Sequence, residues 1–335
     1  MYGTKIIEVS ASDPQKDVID LAAGILRWGG LVAFPTETVY GLGADAMNED
    51  AVKEVFRVKG RKPDNPLIVH ISAPEQLEEF GKNVSPLAKR IAAKLFPGPL
   101  TLVVEASPKI PKSVTGNLQT VALRMPDHRV ALALIKALGS PIVGPSANLS
   151  GKPSPTAAEH VSADLGGEID LILDAGPTTI GVESTVVDVT GSIPVLLRVG
   201  GLSKEAVEDV AGKVRFPHNA EELKRSPGTR YRHYAPRAKV ILITDGDREA
   251  FEDLWKEYTR RGMHLGCIVH SAEFLSHVSL KPVTAFTISV EEYPKQLFAI
   301  LRTLDSMEVD AILIEEIPEY GLGAAVMDRL RRAAE

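Results

Sequence analysis

Lys59 and Arg61 stand two residues apart in KGRKPDNP, where Pro63 and Pro66 restrain the backbone that follows them. Two cations on a stiff turn suit an anion such as a phosphate, yet a K-x-R pair taken by itself reads more readily as solvated loop charge. Ser146 and Asn148 in GPSANLSGKPSPT follow the apolar run PIVG. Their short polar side chains therefore fall at the carboxyl end of a strand, where open α/β sheets form ligand crevices. Small residues there leave room for a ligand and offer backbone N–H groups to phosphate oxygens; an ordinary turn has the same composition. SPGTRYRHYAP, residues 226 to 236, adds Arg230, Arg232 and His233 as donors beside Tyr231 and Tyr234. It lacks both helical and strand periodicity and reads as a loop, but a plain spacer has no use for two tyrosines.

Other motifs carry less. GLGADA, residues 41 to 46, matches a dinucleotide fingerprint, but TETVY separates it from the preceding strand, and KGRKPDNP occupies the place of the acidic residue expected about 20 positions on. GLGAAV at 321 to 326 reads as a tight helix entry. LSGKPS has no Ser or Thr after its lysine, no G-x-S-x-G occurs, and none of the eight histidines has metal spacing around a glutamate. Cys267 is the single cysteine, which excludes an internal disulfide and a multi-cysteine zinc site.

The elements that must position these residues alternate along the chain. LVAFPTET, PLIVHI, LTLVVEAS, TVALRMP, PIVGPS, DLILDAG, STVVDVT and PVLLRVG are rich in Val, Ile, Leu and Thr and bounded by Gly or Pro, which predicts strands. DPQKDVIDLAAGILRWGG predicts a helix with Asp13 as N-cap, Pro14 at its first position and Gly29-Gly30 as stop. EDAVKEVFRVKG, SPLAKRIAAKLFPG, HRVALALIKALG, TAAEHVSADLGG and SKEAVEDVAG follow the same logic. The expected organisation is a large α/β domain with a mixed twisted sheet over 1–214 and a linker or lid segment over 215–237. A smaller Rossmann-like α/β domain with a mainly parallel sheet is expected over 238–335, from KVILITDG, LGCIVH, TAFTIS and AILIEEI alternating with helical segments.

A chain of 335 residues with 44% hydrophobic and 24% charged residues can bury a large core. Its net charge of -6 argues against a surface that binds nucleic acid by charge alone. No stretch approaches the roughly 20 apolar residues of a membrane span, and the start shows no basic segment before an apolar run. A soluble cytoplasmic protein with no membrane partner is expected.

FPTETVYGLG at 34 to 43, KGRKPDNPLIVHI at 59 to 71, LRMPDH at 123 to 128, GPSANLSGKPSPT at 144 to 156, ESTVVD at 183 to 188 and LLRVG at 196 to 200 occur in an order that closely resembles one family. It is the threonylcarbamoyl-AMP synthases of the YrdC type, in the long form with an added carboxyl-terminal domain. The family's K-x-R…S-x-N signature is present as Lys59, Arg61, Ser146 and Asn148. The resemblance runs the whole length; SPGTRYRHYAP is similar to the long form's linker, with Thr229 where a bulkier residue is usual.

The resemblance implies a reaction in which L-threonine, bicarbonate and ATP give threonylcarbamoyl-AMP and pyrophosphate. The product would pass to a separate transferase complex that modifies the adenosine beside the anticodon of tRNA; direct contact with tRNA is compatible with this role and not required by it. It implies Mg2+ accompanying ATP, held mainly by the phosphates with no direct protein ligand, and no redox cofactor. Lys59, Arg61, Asn65, Ser146 and Arg198 are expected at the triphosphate and ribose, with Asn148 and Ser154 flanking the same pocket. Arg124 is expected at the threonine carboxylate, with Thr36, His70 and Ser184 supplying hydrogen bonds that select a hydroxyl-bearing amino acid. Thr120 is expected on the wall between the substrates, and Tyr231 or Tyr234 over the nucleotide as part of a lid. Two rivals remain at this level: an RNA-binding module without chemistry, and a maturation enzyme that carries the same domain beside acylphosphatase and zinc-finger segments.

Overall fold

The computed structural model describes residues 3–227, 233–276 and 284–335. The chain divides into two compact units, Met1–Ser150 with Ser154–Tyr231, and Gly151–Pro153 with Arg232–Glu335.

In the first unit the elements run β1 (Lys5–Glu8), α1 (Lys16–Arg27), β2 (Val32–Phe34), β3 (Gly41–Asp45), α2 (Glu49–Lys59), β4 (Ile68–His70), α3 (Gln76–Phe80), β5 (Gly81–Lys82), α4 (Pro86–Leu95) and β6 (Leu100–Ala106). They continue with α5 (Lys112–Thr115), β7 (Thr120–Arg124), α6 (Arg129–Leu138), β8 (Ile142–Val143), α7 (Ala158–Leu165), β9 (Leu171–Asp174), β10 (Thr185–Asp188), β11 (Val195–Arg198), α8 (Lys204–Ala211) and α9 (Ala220–Leu223). The strands form one mixed sheet in the order β1-β9-β2-β3-β8-β4-β7-β6-β10-β11, with β5 on β6.

Local chemistry explains several helix ends. The Asn48 side chain accepts from the Asp50 and Ala51 amides to start α2, and Gly60 ends it in the left-handed region at φ 60°. Ser85 and Ser203 cap α4 and α8 in the same way. The start of α1 departs from the expectation at Asp13: the helix begins at Lys16 after Gln15. Ser10 accounts for the shift, because its hydroxyl accepts from the Asp13 amide while its own amide donates to Gln15 Oε1. That bonding consumes Asp13–Gln15 in a turn. The glycines of GLGADA lie within β3, paired antiparallel to β2, and not at a strand-to-helix turn. No dinucleotide fingerprint exists there.

One face of the sheet packs on the large apolar cluster that includes Leu42, Val52, Val69, Leu102, Leu123 and Val187. On the other face, α1 and α6 cover the part built from β1, β9 and β2 through Leu26, Leu134, Val32 and Leu171. The half built from β4, β7, β6, β10 and β11 carries a small apolar cluster of Ile68, Val103, Ala122, Val186, Val195 and Leu197 on that same side. Residues 215–227 are built into this unit. The Arg215 carbonyl accepts from Leu196 N at 2.8 Å, its guanidinium pairs with Glu222 at 2.7 Å, and Arg225 pairs with Asp188 at 2.8 Å.

The second unit holds β12 (Lys239–Ile243), α10 (Arg248–Arg260), β13 (Leu265–Val269), α11 (Ala272–Ser276), β14 (Thr284–Thr287), α12 (Tyr293–Ser306), β15 (Ala311–Glu315) and α13 (Gly323–Ala334). Its four strands are all parallel in the order β12-β15-β13-β14. Such a sheet needs crossover helices and both faces covered, which accounts for unbroken apolar runs such as AILI. Among the described residues, no helix is long and apolar enough to cross a membrane.

Candidate active site

Strand alternation puts His70 on the same face as Ile68, and Arg124 on the same face as Ala122. His70 and Arg124 are register partners in the parallel β4–β7 pair. Across β7 the antiparallel pairing of Leu102 with Leu123 places Thr101 beside Arg124, and Thr101 in turn pairs with Val186 of β10. One row of the sheet thus carries His70, Arg124 and Thr101, with Ser184 entering from the start of β10.

Arg124 Nη2 lies 2.8 Å from Glu37 Oε2, with the two side chains only 4% and 7% exposed. Although at ion-pair distance, these atoms are not aligned as a hydrogen bond: both Glu37 oxygens and the Arg124 Nε and Nη2 atoms have no hydrogen-bond partner. Burying a carboxylate and a guanidinium with their hydrogen-bonding capacity unspent is costly. The arrangement fits a pair waiting for a ligand. His70 Nδ1 and His128 Nδ1 are also buried without partners. Burial foremost, then the Arg124 charge, holds His70 well below the usual histidine range, so its imidazole is neutral. Burial likewise lowers His128, with Glu37 acting in the opposite direction. Glycine is required at 144, because a Cβ there would sit 2.7 Å from His70 Nδ1.

Thr36 and Ser184 have their hydroxyls committed. Thr36 Oγ1 donates to the Val39 carbonyl at 2.6 Å and accepts from the Thr38 and Val39 amides at 3.2 Å, so it shapes the turn after β2. Ser184 Oγ is 2.8 Å from Thr101 Oγ1 and 3.2 Å from Arg198 Nη2, while Arg198 also donates to the Ser184 and Pro227 carbonyls. Arg198 therefore braces the entry to β10. Gly200 packs directly on that entry, where a Cβ would lie 2.3 Å from the Glu183 carbonyl oxygen. Ser154 Oγ donates to Glu183 Oε1 close by.

Lys59 corrects the expectation of a loop cation. It is the last residue of α2, 2% exposed, and its ammonium donates to the carbonyls of Ser146 and Asn148. The Ser150 amide returns a bond to the Lys59 carbonyl at 2.9 Å, and the Ala147 amide bonds the Tyr40 carbonyl at 2.8 Å. Lys59 thereby fastens the Ser146–Asn148 loop to the end of α2, bringing the two halves of the signature together. Burial first, and the nearby Arg61 charge second, push its ammonium well below the usual lysine value. Arg61 itself is half-buried and donates to the Pro66 carbonyl at 2.9 Å, and Asn65 is buried beside it. Asn148 Nδ2 donates to the Leu149 carbonyl at 2.8 Å.

Lys59→Met should cost about 2 kcal/mol of stability, because two carbonyl oxygens lose their charged donor. Arg61→Ala, where the guanidinium is half-buried and bonded to the partly wet Pro66 carbonyl, should cost less. Urea denaturation of both variants checks the order; a Lys59 variant as stable as the parent chain would mean that the loop is held by other contacts.

Thr120 is not brought to the other residues. It shares their sheet face, but it opens β7 while Arg124 closes it, a separation of about 13 Å for four strand residues. It lines an open groove of about 350 Å3 with Lys82, Glu105, Gln119, Thr190 and Arg225. Tyr231 lies outside the described residues. Tyr234 is placed in the second unit, with its ring stacked 5.6 Å from Phe298 and 5.0 Å below the Arg329 guanidinium. Its ring is thus part of that unit's packing.

Glu37, Thr101, His128 and Glu183 are absent from the residues expected from sequence. Glu37 and Glu183 carry a readable signal, since each is a carboxylate beside a proposed site residue in a motif at a strand end. Thr101 has none, because a threonine in LTLVVEA is explained by strand propensity.

Two family models match the chain: one described as telomere recombination over residues 24–200, the other as threonylcarbamoyl-AMP synthase, C-terminal domain, over residues 202–335. The threonylcarbamoyl-AMP synthase of Pyrococcus abyssi is 48% identical over 324 residues, covering 94% of both chains. That of Bacillus subtilis is 45% identical over 338 residues, covering 98% of this chain and 95% of its own. The crystal structure of P. abyssi Sua5 complexed with L-threonine superposes with a TM-score of 0.93 at 47% identity, covering 99% of this chain and 98% of that one.

Proposed function

The chain belongs to the threonylcarbamoyl-AMP synthase family, and on that premise we propose that it is a nucleotidyltransferase joining L-threonine, bicarbonate and ATP into threonylcarbamoyl-AMP and pyrophosphate. The product supplies the activated group for modifying the adenosine beside the tRNA anticodon. A separate transferase complex completes that step.

The observation that carries this reading is the buried Glu37–Arg124 pair with its unspent hydrogen-bonding atoms. A free amino acid is a zwitterion. Entering between the two side chains, it sets its carboxylate against the Arg124 guanidinium and its ammonium against Glu37, so the buried charges stay balanced. His70 Nδ1, neutral, buried and without a partner, is assigned to the threonine hydroxyl. The amine, once it has shed a proton, adds to bicarbonate with loss of water to give a carbamate. A carbamate oxygen then attacks the α-phosphorus of ATP, and the bond to pyrophosphate breaks. Neither a protein nucleophile nor a redox cofactor is required, so positioning and charge stabilisation do most of the work.

Lys59, Arg61, Asn65, Ser146, Asn148, Ser154 and Arg198 are assigned to the nucleotide. The firmly tied Lys59 and Arg198 keep backbone and charge in place. Mg2+ offsets the phosphate charge when bound. Glu37 is assigned to the amino-acid ammonium and Glu183 accepts from Ser154, which leaves the ion to the phosphates. An RNA-binding module remains less consistent with a net charge of -6.

Incubating the protein with labelled bicarbonate, ATP and each amino acid in turn tests the assignment. Pyrophosphate should appear only when threonine and bicarbonate are both present, together with a labelled adenylate. ATP turnover indifferent to threonine would overturn it.

A further inference from the structure

The second unit carries a polar cluster that the synthase reaction leaves unused. Parallel sheets hold ligands at the carboxyl ends of their strands, and three side chains meet there: Asp245 two residues after β12, His270 immediately after β13, and Glu315 as the last residue of β15. His270 Nε2 lies 2.8 Å from Asp245 Oδ1 and 3.4 Å from Glu315 Oε1. Among the described residues, this is the group whose ligand atoms all fall within 4.8 Å of one another. We propose that Asp245, His270 and Glu315 form a binding site for one divalent first-row transition ion, separate from the synthase chemistry.

The spacing agrees with such an ion. Two donors about 2.1 Å from one metal sit about 3.0 to 3.4 Å apart, depending on whether the angle between them is octahedral or tetrahedral. The His270–Glu315 distance already has that value, and the His270–Asp245 contact needs to lengthen by only a few tenths of an ångström. An imidazole with two carboxylates favours zinc, manganese, cobalt or nickel over calcium or magnesium, which take oxygen alone.

Exposure is graded as an open site requires. The Glu315 side chain is 2% exposed, His270 20% and Asp245 50%, so the pocket is closed beneath and open to water at the Asp245 side. Glu315 is fixed by the chain around it: its oxygens accept from the Gly246 amide at 3.3 Å and the His270 amide at 3.1 Å. A buried glutamate closing the strand AILIE is expensive in a position where an apolar residue would pack as well.

The ground beneath the cluster gives a second, independent sign. The Tyr293 hydroxyl, in the first turn of α12, is buried without any hydrogen-bond partner. Burial raises its pKa most, and the charges of Glu315 and Cys267 raise it further. A buried phenol with its hydrogen unspent is a donor still available to a ligating oxygen or to a water on the ion. Cys267 is not a further ligand: burial foremost, then Glu315, pushes its thiol up to about 12, so it stays protonated.

Titrating the full chain with Zn2+ against a chromophoric chelator, and with Co2+ followed by visible absorption, tests the site. One ion per chain is expected, with binding weakened at least about tenfold in both Asp245→Asn and His270→Ala. Tyr293→Phe should weaken it about 10- to 100-fold, as loss of a supporting group does. Glu315→Gln risks the fold of the unit, so the two loop-borne ligands carry the decision, with unchanged melting of the ion-free variants as the check on folding. No binding at one equivalent, or equal affinity in the parent chain and both variants, overturns the proposal.

Discussion

Valine is expected to be rejected against threonine by roughly 10⁴-fold in kcat/KM, because its methyl group would face His70 Nδ1 and leave that buried nitrogen unpaired. Serine should be the better competitor, losing only a methyl contact worth on the order of 1 to 3 kcal/mol. Thr36 and Ser184 are expected to contribute less to this choice than their residue types suggest, since their hydroxyls are spent on the turn after β2 and on Thr101 and Arg198. His70→Ala should therefore collapse the discrimination while Thr36→Val chiefly lowers stability. The neutral state of His70 adds a pH expectation. Its pKa is depressed, so the uncharged ring persists as pH falls through the ordinary value near 6.5, and the threonine KM should stay flat there, rising only at lower pH. Comparable pyrophosphate release with valine and threonine would remove His70 from hydroxyl recognition.

Arg124→Ala should lose about 3–5 kcal/mol of stability together with measurable threonine binding, since it strands Glu37 as an uncompensated buried carboxylate. Stability alone cannot distinguish a structural pair from a ligand-binding one. The double variant Glu37→Leu/Arg124→Met can: replacing a buried ion pair by apolar side chains of similar volume is often neutral or stabilising. It should melt near the parent temperature, bind ATP with ordinary affinity and bind no threonine by calorimetry. Threonine binding that survives in this variant would place the amino-acid site elsewhere on the sheet face. ATP affinity lost with Arg124 would mean that the nucleotide and amino-acid halves are exchanged.

The second unit is almost wholly legible in sequence. KVILI, LGCIV, TAFT and AILIE are β12, β13, β14 and β15; α10, the short α11 and α12 lie between them, and α13 follows β15. Each run is buried by a local rule, apolar residues at strand or helix period bounded by turn residues, so composition and spacing suffice. The first unit yields its longer elements for the same reason. It withholds the pairs and turns that depend on neighbours: β1, β3, the two-residue β5, the helical turns α3, α5 and α9, and the start of α1, where a hydrogen bond from Ser10 to Gln15 outranks the N-cap chemistry of Asp13.

What the sequence by itself determined, with the family resemblance naming His70, Arg124 and Arg198, is which residues could do chemistry and at which ends of which elements they stand: Lys59 ending a helix with Arg61 just after it, Ser146 and Asn148 after a strand, His70, Arg124 and Arg198 closing strands. Those placements follow from periodicity and punctuation, which act over a few residues. Only the tertiary structure decided what each group touches. The sheet order sets β7 between β4 and β6 and lays β10 along β6, and that order is a global optimum of pairing and burial with no signature inside any single strand. From it come the ion pair between Glu37 and Arg124, 87 positions apart, the Thr101–Ser184 contact across 83 positions, and the burial of Lys59 against carbonyls 87 and 89 positions away. A lysine is read as exposed because a solitary ammonium belongs in water; here it is buried because the folded loop supplies two carbonyl oxygens, which no local pattern announces.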